Sequence, residues 1–164
     1  LVTLHRPGNV DDPGLLGRFV DGLLEVSRTL PLVFPIHPRT RKRLSEGGLL
    51  GALLESPTLS ACEPLGYLET IALQAQAAVV LSDSAGITEE SSVLGRPCLT
   101  LRPNTERPIT LERGTSVLVP DPADMVRWVK LALAGEWPER AGIELWDGQA
   151  SVRALVALRA WLGL

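Results

Sequence analysis

Apolar and polar positions alternate along this chain in blocks that predict strands and helices in turn. Short apolar runs predict strands at residues 1–4, 32–36, 58–60, 77–81, 97–101 and 117–119. Apolar residues at helical spacing predict helices at residues 15–30, 67–76, 121–134 and 149–162, with another after residue 86 and a basic one around residues 41–45. Polar loops are predicted at residues 5–13 and 37–40.

This alternation predicts an α/β protein with a mostly parallel, right-handed sheet and helices on both faces. In sheets of this kind ligands bind beyond the carboxyl ends of the strands. The loops that follow the strands at residues 1–4, 32–36, 77–81 and 97–101 should therefore share one edge of the sheet. That edge is the expected ligand site.

The segment at residues 81–90, Leu-Ser-Asp-Ser-Ala-Gly-Ile-Thr-Glu-Glu, carries the most specific chemical signal. A buried strand leads into a small polar turn, and a helix follows. Such a turn presents unpaired backbone N–H groups at the positive end of the helix dipole, which favours a phosphate group. Asp83 and Ser84 are good N-cap residues, and Ala85 and Gly86 leave space for a ligand. An ordinary capped helix with acidic residues in its first turn is the alternative interpretation.

The two glutamates of this segment are predicted to have different roles. Successive helical residues differ in direction by about 100°, so Glu89 and Glu90 cannot both face the ligand. Glu90 lies one turn beyond Gly86 and could accept hydrogen bonds from the two vicinal hydroxyls of a ribose, as acidic residues do in dinucleotide-binding folds.

Both histidines of the chain, His5 and His37, follow predicted strands and fall at the expected ligand edge. Arginines join them there, among them Arg6, Arg39 and Arg107. Because the guanidinium fork matches phosphate oxygens, these side chains suit a diphosphate. Solvated loop residues are the alternative for the histidines, and a solvated helix face is the alternative for the basic residues at 41–43.

Composition excludes several classes of function. The length of 164 residues allows one domain, and 45% hydrophobic residues suffice for a normal core. A net charge of −3 and a pI of about 5.4 argue against binding nucleic acid. No apolar run approaches the length of a membrane span and no signal peptide is visible, so a cytoplasmic protein is expected. Cys62 and Cys98 lack metal-ligand spacing, so reduced thiols and no metal site are expected.

Five segments of the chain, in order, carry a family resemblance. They are LVTLHRPGN at residues 1–9, LVFPIHP at 32–38, EPLGYL at 63–68, LSDSAGITEE at 81–90 and LGRPCLTLRPNTERP at 94–108, with LWDG at 145–148 as a looser match. They resemble the non-hydrolysing UDP-N-acetylglucosamine 2-epimerases, which have the two-Rossmann-domain (GT-B) architecture. The resemblance implies that residues 1–164 form the C-terminal, Rossmann-like, UDP-binding domain of such an epimerase, without its N-terminal domain.

The resemblance also implies a role for each matching residue. Ser84 and Gly86 would bind the diphosphate of UDP, Arg107 would reach the phosphates, and Glu90 would hold the ribose. The uracil contacts would fall at Leu65 and Thr70. The catalytic residue in this half would be His5, beside the leaving diphosphate, whereas His37 and Arg6 would belong to the cleft or to a regulatory site.

The implied reaction inverts C2 of the sugar by eliminating UDP to give 2-acetamidoglucal and then adding UDP back, which interconverts UDP-N-acetylglucosamine and UDP-N-acetylmannosamine. No cofactor is needed for this chemistry. The carboxylates that transfer the C2 proton lie in the family's N-terminal domain, so this chain alone is expected to be inactive.

The expected partner is a UDP-sugar, with no nucleic acid and no membrane, and the full-length protein is expected to be a homodimer. Two other functions stay open: a GT-B glycosyltransferase that binds its UDP-sugar in the same way, and a nucleotide-sugar-binding module without chemistry. The chain opens on a predicted central strand without an initiator Met, which is taken as a sign of a fragment.

Overall fold

Parallel strands alternate with helices through most of the chain, as the sequence predicts. The computed structural model describes residues 1–138 and 142–163. Each predicted strand is present, with bounds shifted by a few residues. The strands are β1 (Val2–Thr3), β2 (Leu32–Pro35), β3 (Leu59–Cys62), β4 (Val80–Ser82), β5 (Cys98–Thr100) and β6 (Ser116–Leu118).

The predicted helices are also present in the described residues, together with short ones that the sequence does not signal. They are α1 (Pro7–Val10), α2 (Pro13–Ser27), α3 (Pro38–Glu46), α4 (Leu50–Leu54), α5 (Tyr67–Gln76), α6 (Ala85–Val93), α7 (Pro108–Glu112), α8 (Met125–Leu133) and α9 (Ala150–Leu162). A single 3₁₀ turn at Pro122–Asp124 precedes α8.

The strands are added first toward one edge of the sheet and then toward the other, so the strand order reverses in the middle of the sheet. Hydrogen bonds join the strands in the order β1-β4-β5-β6, and β2 pairs with β3; all of these pairs are parallel. Because β1 also contacts β2, the spatial order is β3-β2-β1-β4-β5-β6, which is the Rossmann order. The chain leaves β1 toward one edge and returns at β4 toward the other, so the crevice between these two strands is the expected ligand position.

The two faces of the sheet are covered by different helices. On one face α2 packs against α8, and on the other α5 packs against α6. The core between them is built from fully buried side chains, of which Phe19 and Phe34 are the largest. The amphipathic spacing of α2 therefore has the packing role that its sequence predicts.

Two short helices lie where no helix was predicted: α1 lies inside the loop predicted at residues 5–13, and α7 begins at Pro108. The basic helix predicted around residues 41–45 is present as α3, but it begins at Pro38, inside the loop predicted at residues 37–40. In each of the three helices a proline occupies the first helical turn, where its missing N–H costs nothing and its fixed φ favours the helix. These boundaries were missed because the prolines were read as loop residues.

The last helix, α9, does not cover the core of this domain. The helix predicted at residues 149–162 is confirmed, but none of the residues of α9 is buried. Its apolar side chains face solvent, including Trp161, which is 81% exposed. Among the described helices, none is both long enough and apolar enough to cross a membrane.

The close approach of α2 and the turn before α8 yields a stability prediction. A Cβ on Gly22 would lie 2.3 Å from Met125 Cε and 3.0 Å from the Pro122 carbonyl oxygen, whereas a Cβ on Gly17 of the same helix would meet nothing within 4 Å. Overpacking costs about 1–3 kcal/mol, and the flexible Met125 should keep Gly22→Ala near the lower end. Gly17→Ala should stabilise by up to about 1 kcal/mol through helix propensity. Urea unfolding of both variants measures this, and equal effects would contradict the packing argument.

Candidate functional site

The site lies where β1 and β4 end side by side. Val2 pairs with Leu81 and Thr3 with Ser82, and the hydroxyls of Thr3 and Ser82 are 2.6 Å apart. The next residues of both strands therefore emerge at the same point of the sheet edge. This junction is the reversal point of the strand order, so the loops that begin at His5 and Asp83 share the crevice.

Asp83 holds the two loops together. Its side chain is fully buried, and its carboxylate accepts hydrogen bonds from the backbone N–H groups of His5 (3.0 Å) and Arg6 (2.8 Å). The Asn9 amide donates to the same carboxylate at 3.1 Å and to the Leu101 carbonyl at 2.8 Å. The side chain thus pairs across the sheet and does not cap the helix that follows, which corrects its interpretation as an N-cap residue.

The ionised form of Asp83 is favoured in spite of its burial. Burial alone raises the pKa of this carboxyl, but hydrogen bonds from the His5 side chain and from the backbone N–H groups of Arg6 and His5 outweigh it and hold the pKa below its ordinary value. His5 Nδ1 lies 3.1 Å from Asp83 Oδ1. A buried negative charge therefore lies directly behind the imidazole.

The N-terminus of α6 has backbone N–H groups available for a ligand. Ser84 occupies the N-cap position, but its hydroxyl caps no N–H of the helix. Within the part of the chain that the structure describes, the N–H groups of Ala85, Gly86 and Ile87 have no hydrogen-bond acceptor. Gly86 is exposed, and a Cβ there would meet only Ser84 Oγ, at 3.9 Å. The turn therefore offers open space and unpaired donors at the positive end of a helix dipole.

Glu89 and Glu90 have different environments, as their spacing predicts. Glu89 pairs with Arg107, which brings the loop after β5 against the first turns of α6. The Glu90 carboxylate has no hydrogen-bond or ion-pair partner among residues 1–138 and 142–163. Partial burial, together with the negative charge of Glu89, raises the pKa of the Glu90 carboxyl. Glu90 is thus a half-buried acceptor that lacks donors.

Arg6 links the loop after β1 to the loop after β5. Its Nε donates to the Asp83 carbonyl at 3.0 Å, and its Nη1 lies 3.2 Å from Glu106. Glu106 also accepts from Arg102, at 2.7 Å between Arg102 Nη2 and Oε1. The hydrogen bond from Arg102 lowers the pKa of the Glu106 carboxyl to about 2. The guanidinium of Arg6 is therefore held by the protein, as a brace between loops.

His37 caps α3 and lies beside His5. Its Nδ1 accepts a hydrogen bond from the Arg39 N–H at 3.1 Å. The two imidazole centroids are 5.5 Å apart with the rings tilted by 38°. The structure thus brings both histidines together, as predicted. Arg39, which was considered for the diphosphate, pairs instead with Asp11 at 2.6 Å.

The residues predicted for the uracil contacts lie at the start of α5. Leu65 is half-buried just before the helix, and the Thr70 hydroxyl donates to the Gly66 carbonyl at 2.9 Å. The α5 helix packs on α6 through Gln74, whose amide donates to the Ile87 carbonyl at 2.8 Å. Since both helices begin at the carboxyl edge of the sheet, Leu65 and Thr70 belong to the same edge as the α6 turn.

Sequence reasoning missed the residues that organise the site. Asp83 was interpreted only as a cap, and Asn9, Glu89 and Glu106 were given no structural role. One local signal for the role of Asp83 was available. The neighbouring Ser82 and Ser84 are also possible N-cap residues, so Asp83 was not needed as the cap of α6. Its partners in the loop after β1 are 74–78 residues away, so the pattern along the chain does not reveal them.

Comparisons with known proteins agree on one family. The sequence model of the UDP-N-acetylglucosamine 2-epimerase family matches residues 1–159. A UDP-N-acetylglucosamine 2-epimerase of Methanocaldococcus jannaschii is 45% identical over 123 residues, which cover 74% of this chain and 34% of that protein. A UDP-2,3-diacetamido-2,3-dideoxy-D-glucuronate 2-epimerase of Pseudomonas aeruginosa is 38% identical over 93% of this chain and 42% of that protein.

Solved structures show the same fold. The crystal structure of the M. jannaschii UDP-GlcNAc 2-epimerase in complex with UDP-GlcNAc and UDP matches with a TM-score of 0.85 and 36% identity, over 98% of this chain and 44% of that one. The predicted half of a GT-B architecture is confirmed at the level of the fold. The chain spans less than half the length of these relatives.

Proposed function

This chain belongs to the UDP-N-acetylglucosamine 2-epimerase family, and we propose that it is the C-terminal, UDP-binding domain of a two-domain epimerase. The observation that carries the proposal is the uncapped α6 turn at the β1/β4 junction, with His5 and its buried Asp83 beside it. A relative with UDP-GlcNAc and UDP bound supports the ligand class.

In the proposed complex the diphosphate of UDP occupies the α6 turn. The N–H groups around Ser84 and Gly86 donate to its oxygens, and the helix dipole favours their charge. Arg107 approaches from the loop after β5 and exchanges its contact with Glu89 for the phosphates. Such an exchange keeps the guanidinium paired in both states, and the partly exposed Glu89 carboxylate that it leaves can be hydrated by solvent.

Glu90 is proposed to accept hydrogen bonds from the two ribose hydroxyls. Its carboxylate has no donor within the described ranges, and partial burial together with the charge of Glu89 raises its pKa. Two hydroxyl donors would satisfy it. The uracil is assigned to the start of α5, near Leu65 and Thr70, while Arg6 and His37 are assigned to the cleft wall.

The proposed reaction inverts C2 of the sugar. A base removes the C2 proton, the C1–O bond breaks, its electron pair leaves with UDP, and a C1–C2 double bond forms. UDP then adds back to C1 while C2 is protonated on the opposite face. Residues of the remaining part of the epimerase supply the proton transfer at C2, and His5 is proposed to donate a hydrogen bond to the diphosphate oxygen as it gains charge.

Calorimetric titration of the isolated chain with UDP tests the binding proposal. One domain of a two-domain clamp has only part of the contacts, so we expect a Kd of about 0.1–1 mM, or roughly −4 to −5.5 kcal/mol. Inorganic phosphate and uridine are the controls, and each should bind more weakly than UDP. Equal affinity for phosphate and UDP would remove the support for the ribose and uracil assignments.

The sugar is proposed to be N-acetylglucosamine, although one relative is a 2-epimerase of a diacetamido-glucuronate. Turnover of the full-length protein with each UDP-sugar distinguishes the two substrates. Release of 2-acetamidoglucal would support the epimerase, transfer of the sugar to an acceptor would support a glycosyltransferase, and binding without either would support a module without chemistry. The homodimer and the cytoplasmic location stay predictions.

A further inference from the structure

The imidazole of His5 has a fixed partner on one of its two nitrogens. His5 Nδ1 lies 3.1 Å from Asp83 Oδ1, and Asp83 is fully buried. An ionised carboxylate can only accept hydrogen bonds, so the nitrogen facing it must carry a proton. The other nitrogen, Nε2, is then the atom that gains or loses a proton.

Asp83 is itself held in place by N–H groups, which can donate hydrogen bonds but cannot accept them. The backbone N–H groups of His5 and Arg6 and the amide of Asn9 all donate to its carboxylate. These contacts fix the carboxylate in position before any ligand arrives. An imidazole backed by such a carboxylate is restricted both in its orientation and in its tautomer.

His37 has the opposite arrangement. Its Nδ1 accepts from the Arg39 N–H at 3.1 Å, so this nitrogen carries no proton and the neutral ring bears its hydrogen on Nε2. Since the two rings lie 5.5 Å apart, the site presents two neighbouring imidazoles in different tautomers. Their roles in binding a ligand cannot be exchanged without breaking the α3 cap or the contact between His5 and Asp83.

We propose that Asp83 is a positioning residue that keeps His5 protonated at Nδ1, so that Nε2 is the nitrogen available to the ligand, while the α3 cap keeps His37 as a fixed Nε2–H donor. The catalytic consequence rests on the proposed function. A second proton on Nε2 gives an imidazolium whose charge Asp83 balances. That Nε2–H donates to the diphosphate oxygen that receives the electron pair of the C1–O bond, and it remains on Nε2 when the oxygen lone pair re-forms that bond.

Nitrogen NMR of the ¹⁵N-labelled chain at alkaline pH reads the tautomers directly, because the sequence has only two histidines. The expected wild-type result is Nδ1–H for His5 and Nε2–H for His37. In Asp83→Asn the His5 ring should change to Nε2–H, because the amide can now donate to Nδ1, while His37 stays unchanged. An Nε2–H tautomer of His5 in the wild-type spectrum would overturn the proposal, and this spectrum needs no variant to fold.

Asp11→Asn is the matched control. It also removes one carboxylate charge from the segment after β1, but Asp11 pairs with Arg39 and Arg43 and contacts neither ring by hydrogen bond. Both histidines should keep their wild-type tautomers in this variant. A tautomer change of His5 in Asp11→Asn would mean that general electrostatics, and not the contact with Asp83, selects the tautomer.

Kinetics of the full-length enzyme distinguish positioning from a merely structural role. Because Asp83 is proposed to act through His5, Asp83→Asn should lower kcat by about 10- to 100-fold with UDP affinity changed less than about threefold. In a His5→Ala background the same substitution should have almost no further effect. Additive losses would overturn the positioning role. Failure of the chain to bind UDP would instead contradict the proposed function and leave the tautomer result standing.

Discussion

In the full-length enzyme, His5→Ala is expected to lower kcat by about 100- to 1000-fold while UDP affinity changes little. Negative charge grows on the diphosphate as the C1–O bond breaks, and His5 lies on the crevice beside the α6 turn that is proposed to hold this group. A donor placed there acts mainly in the transition state, and such donors contribute about 2.7–4 kcal/mol. Steady-state kinetics and calorimetry with UDP measure the two effects separately.

The neighbouring histidine provides the control for this prediction. His37→Asn keeps a good N-cap residue on α3, so the variant should fold normally, whereas alanine would cost about 1 kcal/mol of helix stability. We expect His37→Asn to change substrate binding or regulation more than kcat. Normal turnover in His5→Ala together with an inactive His37→Asn would show that the two roles were assigned to the wrong histidines.

The regular elements could be predicted because their patterns are long enough to be specific. The helix predicted at residues 67–76 is α5 with the same bounds, and the apolar run at 77–81 leads into β4. The helices α1, α4 and α7 are only four or five residues long and have no complete apolar period. Elements of one turn depend on tertiary contacts and capping, which sequence periodicity does not contain.

The helix α9 shows a different limit. Its apolar spacing predicts a helix correctly, but a pattern does not state which surface the helix will cover. In the structure its apolar residues, such as Leu155 and Val156, are more than half exposed. The secondary structure of α9 was therefore predicted correctly, whereas the surface that it covers could not be predicted.

The site could be predicted as a set of loops but not as a network. Parallel strand order brings the residues after β1, β4 and β5 together, which is why the sequence could place His5 and Ser84 at one edge of the sheet. The role of Asp83 depends on competition between a local cap and donors in a segment that is distant in sequence, the loop and helix after β1. Burial decides this competition. If Asp83 capped α6 instead, the donors of the loop after β1 would have no acceptor inside the protein, which is costly.

The pairing of Arg107 with Glu89 has the same origin. The sequence places an arginine in a loop and a glutamate on a helix, 18 residues apart, and only the fold brings them into contact. The contact sharpens the distinction between the two glutamates. Glu89 has a cation beside it, whereas Glu90 lacks a donor within the described residues and has a raised pKa.

Glu90→Ala is therefore expected to weaken UDP binding by about 1.5–3 kcal/mol, or roughly 10- to 150-fold in Kd. The ribose hydroxyls would lose a charged acceptor on binding and remain unpaired in a desolvated site. Because the isolated chain is expected to bind weakly, the comparison is best made by calorimetry on the full-length enzyme. The cost should be much smaller with inorganic pyrophosphate as the ligand, since pyrophosphate has no ribose.

Glu89→Ala is the matched control, one position away on the same helix. It removes the partner of Arg107 but no group that is proposed to contact UDP, and exposed ion pairs contribute only about 0–1 kcal/mol. In this variant Arg107 does not have to break an ion pair with Glu89 before it contacts the phosphates. UDP affinity should therefore change by less than threefold. Similar losses in the two variants would contradict the argument that Glu90, and not Glu89, faces the ribose.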